Sequence, residues 1–152
     1  MDANGRECQN NLALIDRGYQ GYLMNGDYLL EKELVYKLTG AAMAVLNGLG
    51  HGLREKTYER ALVLELRHLG IQSDCQRVFP VIYRGEKIDE YIPDLTVEDR
   101  VIIETKTVES ITDEHRGQVL NYLKITSLPV GVIFNFKHPK LQWERIVLEK
   151  NH

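Results

Sequence analysis

The chain has 152 residues, 43% of them hydrophobic and 27% charged, which fits one soluble domain large enough to bury a core. No apolar run approaches the roughly 20 residues that span a bilayer, and the polar N-terminus lacks a signal-peptide pattern, so we expect a cytoplasmic protein without membrane contact. The net charge of −3 lacks the basic excess common among nucleic-acid binders. Cys8 and Cys75 form no CxxC pair, so we expect free thiols and no thiolate zinc site.

Two helices are predicted in the first half of the chain. Residues 1–27 have weak periodicity, and we interpret them as an N-terminal arm that is poorly ordered or contacts a partner. From residue 28 apolar side chains recur every three or four positions, which predicts a helix that ends in a glycine-rich link at 47–52. A second helix is predicted for residues 53–69. Residues 28–150 are therefore expected to form the domain.

Strands dominate the second half. The patterns predict strands at 77–83, 87–97, 100–108, 130–136 and 141–148, and a helix at 112–126 with Thr112 as its N-cap. Pro93 suggests an edge or an irregularity in the second of these strands. The order α-α-β-β-β-α-β-β predicts an α+β or mixed α/β domain in which helices flank one central β-sheet.

Three charged side chains on two neighbouring strands form the central candidate site. Glu104 and Lys106 alternate along one strand and so share a face, and Asp94 lies on the strand before it. Two carboxylates and a lysine favour Mg²⁺, with Mn²⁺ as a substitute, and hydrolysis of a phosphodiester. The alternative is a solvated ion pair on an exposed sheet face, although the apolar residues before Glu104 favour a buried strand.

The loop between the two strands decides whether these carboxylates meet. A three-residue loop, 98–100, pairs Val97 with Val101 and sets Asp94 opposite Glu104. A two-residue loop turns Glu104 to the other face. The metal site therefore requires the longer loop or a bulge near Pro93.

Residues on the two flanking helices extend the candidate site. Glu55 shares a helix face with Tyr58, which predicts that it faces the core, where a carboxylate needs a cation or hydrogen-bond donors; the alternative is a helix cap. His115, Gln118 and Tyr122 form a polar line on the later helix. We expect Gln118 to orient water or contact a phosphate, and Tyr58, His115 and Tyr122 to contact substrate. The alternative for this line is an amphipathic surface.

Several of these segments together resemble a known family. The stretch Gly52-Leu53-Arg54-Glu55-Lys56-Thr57-Tyr58 matches the motif G-x-x-E-x-x-Y. Segments 90–95, 101–106 and 118–124 follow in the expected order. Across residues 28–148 the chain resembles the GxxExxY family, which is grouped with the PD-(D/E)xK nuclease superfamily.

The resemblance implies a restriction-endonuclease-like core of order α-β-β-β-α-β. It also implies that Asp94 and Glu104 are metal ligands, that Lys106 is the catalytic lysine and that Glu55 lies near the metal. Gln118 and Tyr122 resemble a motif of RecB-like members. The family has an aliphatic residue where this chain has a threonine between Glu104 and Lys106, but a metal contact there would use the main-chain carbonyl.

These observations lead to one main hypothesis and two alternatives. The main hypothesis is a Mg²⁺-dependent nuclease that acts on nucleic acid, with DNA as the expected partner. The first alternative is a binding module that keeps the fold without catalysis, which the acidic net charge favours. The second is an assembly protein, such as a homodimer, joined through residues 1–27.

Overall fold

The computed structural model describes the strand at 13–16 and residues 31–148. Its elements in chain order are β1 (Ala13–Asp16), α1 (Lys32–Leu49), α2 (Glu55–His68), β2 (Ser73–Asp74), β3 (Phe79–Tyr83), β4 (Glu86–Tyr91), β5 (Leu95–Val97), β6 (Val101–Lys106), α3 (Asp113–Thr126), β7 (Val130–Asn135) and β8 (Gln142–Leu148). Among these described residues no helix combines the length and the apolar composition that crossing a bilayer requires.

Six strands form the central sheet, in the order β1-β8-β7-β6-β5-β2. The β6–β7 pair is parallel and the other neighbours are antiparallel. Because parallel strands need a crossover, α3 returns the chain from the end of β6 to the start of β7. A mixed central sheet flanked by helices confirms the predicted fold class.

The helices cover both faces of this sheet, because β6 is apolar on both sides. Val101 and Ile103 belong to the core under α1 and α2, while Ile102 packs with the apolar side chains of α3. Gly131 on β7 lets α3 approach closely, since a Cβ there would lie 2.5 Å from Val119 Cγ1. The middle of β6 is therefore fixed from both sides.

The segment predicted as one strand at 87–97 is two strands in two different sheets. β4 pairs with β3 in a separate two-stranded hairpin, and β5 joins the central sheet. The break falls at Pro93, which has no N–H to continue a ladder. The prediction of a single extended strand was therefore wrong, although the expected irregularity at Pro93 is present.

Part of the predicted N-terminal arm is described. β1 pairs antiparallel with β8, with Ala13 opposite Leu148. The rest of residues 1–27, including Cys8, lies outside the described residues, so the role predicted for this arm stays a prediction. Cys75 is a free and exposed thiol.

Candidate active site

The loop between β5 and β6 brings the two predicted carboxylates together. Val97 pairs with Val101, which confirms the three-residue loop. Glu98 and Asp99 adopt left-handed backbone conformations, with φ of 49° and 56°. Continuing this register places Asp94, just before β5, opposite Glu104 on β6.

Asp94 is held in place by the backbone of β6. Its Oδ2 accepts hydrogen bonds from the Thr105 N–H at 2.9 Å and from the Thr105 hydroxyl at 3.1 Å. Thr105, which lies between Glu104 and Lys106, therefore orients a predicted metal ligand. Asp94 is half-buried, which leaves part of its carboxylate available to a ligand.

Glu104 is almost fully buried, at 7% exposure. Burial raises its pKa from the ordinary 4.5 to about 8, and the negative charge of Asp94 adds to the rise. A hydrogen bond from Tyr91 and the positive charge of Lys106 oppose it. Two carboxylates this close repel each other, so a divalent cation between them would relieve the cost of ionising both.

Tyr91, at the end of β4, is a site residue that the sequence patterns did not identify. Its hydroxyl donates to Glu104 Oε1, and its ring stacks on Tyr122 of α3 with centroids 3.7 Å apart. Burial, followed by the charge of Glu104, raises the pKa of Tyr91, so the hydroxyl keeps its proton and remains a donor. The one signal in the sequence was an aromatic residue three positions before Asp94.

The polar residues of α3 have two different roles, one for Gln118 and Tyr122 and another for His115. Gln118 is exposed and close enough to Tyr122 for a side-chain hydrogen bond. Burial raises the pKa of Tyr122, as do the charges of Glu104 and Asp94. Gln118 and Tyr122 therefore lie beside the carboxylate pair.

His115, by contrast, caps the helix. Its Nδ1 accepts the Thr112 N–H at 3.1 Å, and its own N–H donates to Thr112 Oγ1 at 3.4 Å. This reciprocal capping box confirms the predicted N-cap. This capping role differs from the substrate contact predicted for His115, because Nδ1 of the ring already accepts a hydrogen bond from the Thr112 N–H.

A buried ion pair fixes α3 against the sheet. The Arg116 guanidinium donates two hydrogen bonds of 2.7 Å to the Glu144 carboxylate on β8. Their side chains are only 12% and 4% exposed. The pair positions the helix that carries Gln118 and Tyr122.

Glu55 lies at the start of α2 but differs from its predicted core-facing placement. It is exposed, and its Oε1 accepts the Thr107 N–H at 3.3 Å, just beyond Lys106. Within residues 31–148 no group of three or more His, Cys, Asp or Glu side chains is arranged to hold a metal. The Asp94–Glu104 pair is therefore the core of the candidate site. Glu55 accepts a hydrogen bond from the backbone just beyond the end of β6.

Besides Tyr91, the charged residue Lys56 was not identified by the sequence patterns. A hydrogen bond to Glu59, 2.8 Å long, is the main cause that raises its pKa, and the charge of Asp94 contributes. Lys56 is therefore close enough to Asp94 to interact with it electrostatically. The first turn of α2 therefore carries both charge signs, Glu55 and Lys56.

Tyr58 does not reach the site surface. It is fully buried, stacks on Phe136 with centroids 4.3 Å apart, and uses its hydroxyl on the α1–α2 loop. That hydroxyl accepts the Leu53 N–H at 2.9 Å and donates to the Gly50 carbonyl at 2.7 Å. The placement differs from the predicted substrate contact, because a side chain with 0% exposure has no surface to offer a ligand.

Comparison with known proteins assigns the chain to a superfamily. A family model described as the PD-(D/E)XK nuclease superfamily matches residues 32–146, which is most of the chain. No curated protein and no solved structure gives a match. The narrower resemblance to GxxExxY proteins stays a prediction. The match runs from the start of α1 into β8, so the chain belongs to the PD-(D/E)XK nuclease superfamily.

Proposed function

We propose that this chain is a nuclease that hydrolyses phosphodiester bonds of nucleic acid with a divalent cation, Mg²⁺ or its substitute Mn²⁺. The observation that carries the proposal is the closeness of Asp94, which is hydrogen-bonded to the Thr105 N–H, to Glu104 on the same strand as Thr105, with Lys106 two residues further along. Membership of the nuclease superfamily supports this assignment.

The carboxylate pair fits such a cation. Mg²⁺ prefers oxygen ligands and takes few protein carboxylates, keeping several waters. Asp94 and Glu104 supply two carboxylates. Burial and, after it, the negative charge of Asp94 raise the pKa of Glu104, and a bound cation would offset the cost of ionising both groups. When bound, the cation would polarise the phosphodiester and lower the pKa of a water molecule.

Lys106 supplies positive charge on the Glu104 side of the strand. It is half-buried and two residues beyond Glu104 on β6, and its positive charge lowers the pKa of Glu104. In our proposal this ammonium stabilises the negative charge that develops on the phosphate during hydrolysis.

Gln118 and Tyr122 hold the substrate next to the carboxylate pair. Tyr122 presents a hydroxyl beside the exposed Gln118 amide, and its ring is fixed by stacking on Tyr91. Both groups can donate hydrogen bonds to phosphate oxygens.

We propose DNA as the substrate class and RNA as the comparison in each assay. We also propose that residues 1–27 support a homodimer, which light scattering of the full chain tests.

The test is cleavage by Lys106→Ala, with the exposed Lys124→Ala as a matched control on α3. We expect Lys106→Ala to lose at least about a hundredfold in cleavage rate while it keeps its fold and its metal affinity. Lys124→Ala should cleave like the wild type. Unchanged cleavage by Lys106→Ala would overturn the proposed role of this lysine.

A further inference from the structure

Three loops meet at one edge of the central sheet, next to Lys106. β6 and β7 are parallel and end together, with Lys106 opposite Asn135. The segments that follow these strands are residues 107–112 and 136–141. Together with the α1–α2 loop at residues 50–54 we call them the loop rim.

Main-chain hydrogen bonds fix the loop rim as one unit. The Gly52 N–H donates to the Phe136 carbonyl at 2.9 Å, and the Phe136 N–H donates to the Lys106 carbonyl at 2.8 Å. The His51 ring donates through Nδ1 to the Lys137 carbonyl at 3.1 Å, since a carbonyl oxygen can only accept. The α1–α2 loop is therefore attached to the segment that follows β7.

Side chains tie the third loop to the same frame. The His138 ring donates through Nε2 to the Glu109 carbonyl at 2.7 Å. The buried Asn135 amide accepts the Val108 N–H at 3.0 Å and donates to the Val108 carbonyl at 2.7 Å. The backbones of the three loops are therefore held in a set arrangement without a ligand, which lowers the entropy lost when a partner binds.

Positive side chains exceed negative ones on this rim, although the whole chain has a net charge of −3. The cations of the three loops are Arg54, Lys137 and Lys140, with Lys106 at the inner border, and their acidic residue is Glu109. Glu55, Asp113 and Glu114 lie outside the rim, in the first turns of the adjoining helices. Lys137 and Glu109 approach only to 3.9 Å and are 42% and 82% exposed, so their pairing is weak and leaves the lysine available.

We propose that the loop rim binds the phosphate backbone of a nucleic-acid strand and guides it to Lys106 and the carboxylate pair. The proposal rests on the function proposed above and adds the surface by which the substrate is held. A polyanion gains affinity from lysine and arginine contacts mainly through release of its counterions. Contacts to phosphates position a strand without reading its bases, so the rim is expected to bind without sequence preference.

The test is the salt dependence of binding, measured by fluorescence anisotropy on the full chain. The probes are labelled single-stranded DNA, duplex DNA and single-stranded RNA of one sequence, with chelator present to prevent cleavage. The main variant combines Arg54→Gln, Lys137→Gln and Lys140→Gln. The matched control is Lys124→Gln, an exposed lysine in the last turn of α3, near the opposite end of the strands.

We expect the triple variant to reduce the slope of log affinity against log salt by about two to three, because each lost contact removes about 0.7 to 0.9. Lys124→Gln should keep the wild-type slope. Glu109→Gln should bind more tightly than the wild type, because it removes a negative charge from the same rim. A triple variant with the wild-type slope would overturn the proposal.

Failure of this inference can be told apart from failure of the proposed function. If the wild type cleaves nucleic acid but the triple variant keeps the wild-type salt slope, the proposed role of the loop rim is overturned and the proposed nuclease function is retained. If binding depends on the loop rim but no probe is cleaved when metal is added, the proposed nuclease function is overturned and the proposed role of the loop rim is retained. No binding to any of the probes would overturn both.

Discussion

Replacing Glu104 with glutamine tests whether the metal-free site holds a carboxyl group that the fold keeps protonated. Burial and the charge of Asp94 raise its pKa from 4.5 to about 8. An acid whose pKa is raised in the folded protein contributes stability that is present below its unfolded pKa and is lost as pH rises through its folded pKa. We therefore expect the metal-free protein to lose stability between pH 4.5 and about pH 8.

The size of this loss follows from the interval between the two pKa values. At about 1.4 kcal/mol per pH unit, it amounts to at most about 5 kcal/mol of unfolding free energy. Any entry of water into the site reduces the figure, because it lowers the cost of the buried charge. Glu104→Gln cannot ionise, so its stability lacks this component.

The assay is urea unfolding of both proteins across this pH range with chelator present. We expect the free energy of unfolding of the wild type to fall relative to that of Glu104→Gln as pH rises. Asp94→Asn should show a smaller fall than the wild type, because removing the neighbouring charge lowers the pKa of Glu104. Parallel pH profiles for the wild type and Glu104→Gln would refute the reasoning.

Three further substitutions test how the site is supported. Tyr91→Phe removes the hydroxyl that donates to Glu104, and calorimetry should show an affinity for Mg²⁺ about tenfold weaker. Arg116→Ala removes two hydrogen bonds to the buried Glu144 carboxylate, and urea unfolding should show a loss of about 1.5–3 kcal/mol. Gly131→Ala places a Cβ 2.5 Å from a methyl group of α3, and the same assay should show a loss of about 1–3 kcal/mol.

Each of these changes has a matched control. Tyr122→Phe keeps the stacked ring and should leave the affinity for Mg²⁺ within about twofold. Asp113→Asn removes an ion-pair partner that is 97% exposed and should cost less than about 1 kcal/mol. Gly117→Ala on α3 has open space around its Cβ and should stabilise the chain by about 0.5–1 kcal/mol. If a control variant changed the affinity for Mg²⁺ or the free energy of unfolding as much as its test variant does, the corresponding argument would be contradicted.

The central strand and the carboxylate pair were predictable because both depend on local rules. Alternation along β6 sets which side chains share a face, and the length of one loop sets the register of its neighbour. With the three-residue loop, Asp94 faces Glu104 as the sequence allowed. The N-cap at Thr112 was also local, since hydroxyl caps are recognised by their place before a helical pattern.

The residues that were missed, or whose placement differs from the prediction, depend on contacts distant in sequence. Tyr91 reaches Glu104 from β4, which pairs with β3 outside the central sheet, and periodicity within one strand cannot show this. The direction of Tyr58 depends on a ring stack with Phe136, far along the chain. Glu55 turns outward because the Thr107 N–H, at the end of β6, provides its hydrogen-bond donor.

Calorimetric titration of Mg²⁺ and Mn²⁺ into the wild type and Asp94→Asn, followed by a cleavage assay on the same samples, tests the metal-dependent nuclease most directly. We predict that the wild type binds the cation and cleaves nucleic acid only in its presence, and that Asp94→Asn loses both properties. Binding without cleavage of any DNA or RNA substrate would favour the non-catalytic binding module. A wild type that binds neither cation, even with nucleic acid added, would contradict the account.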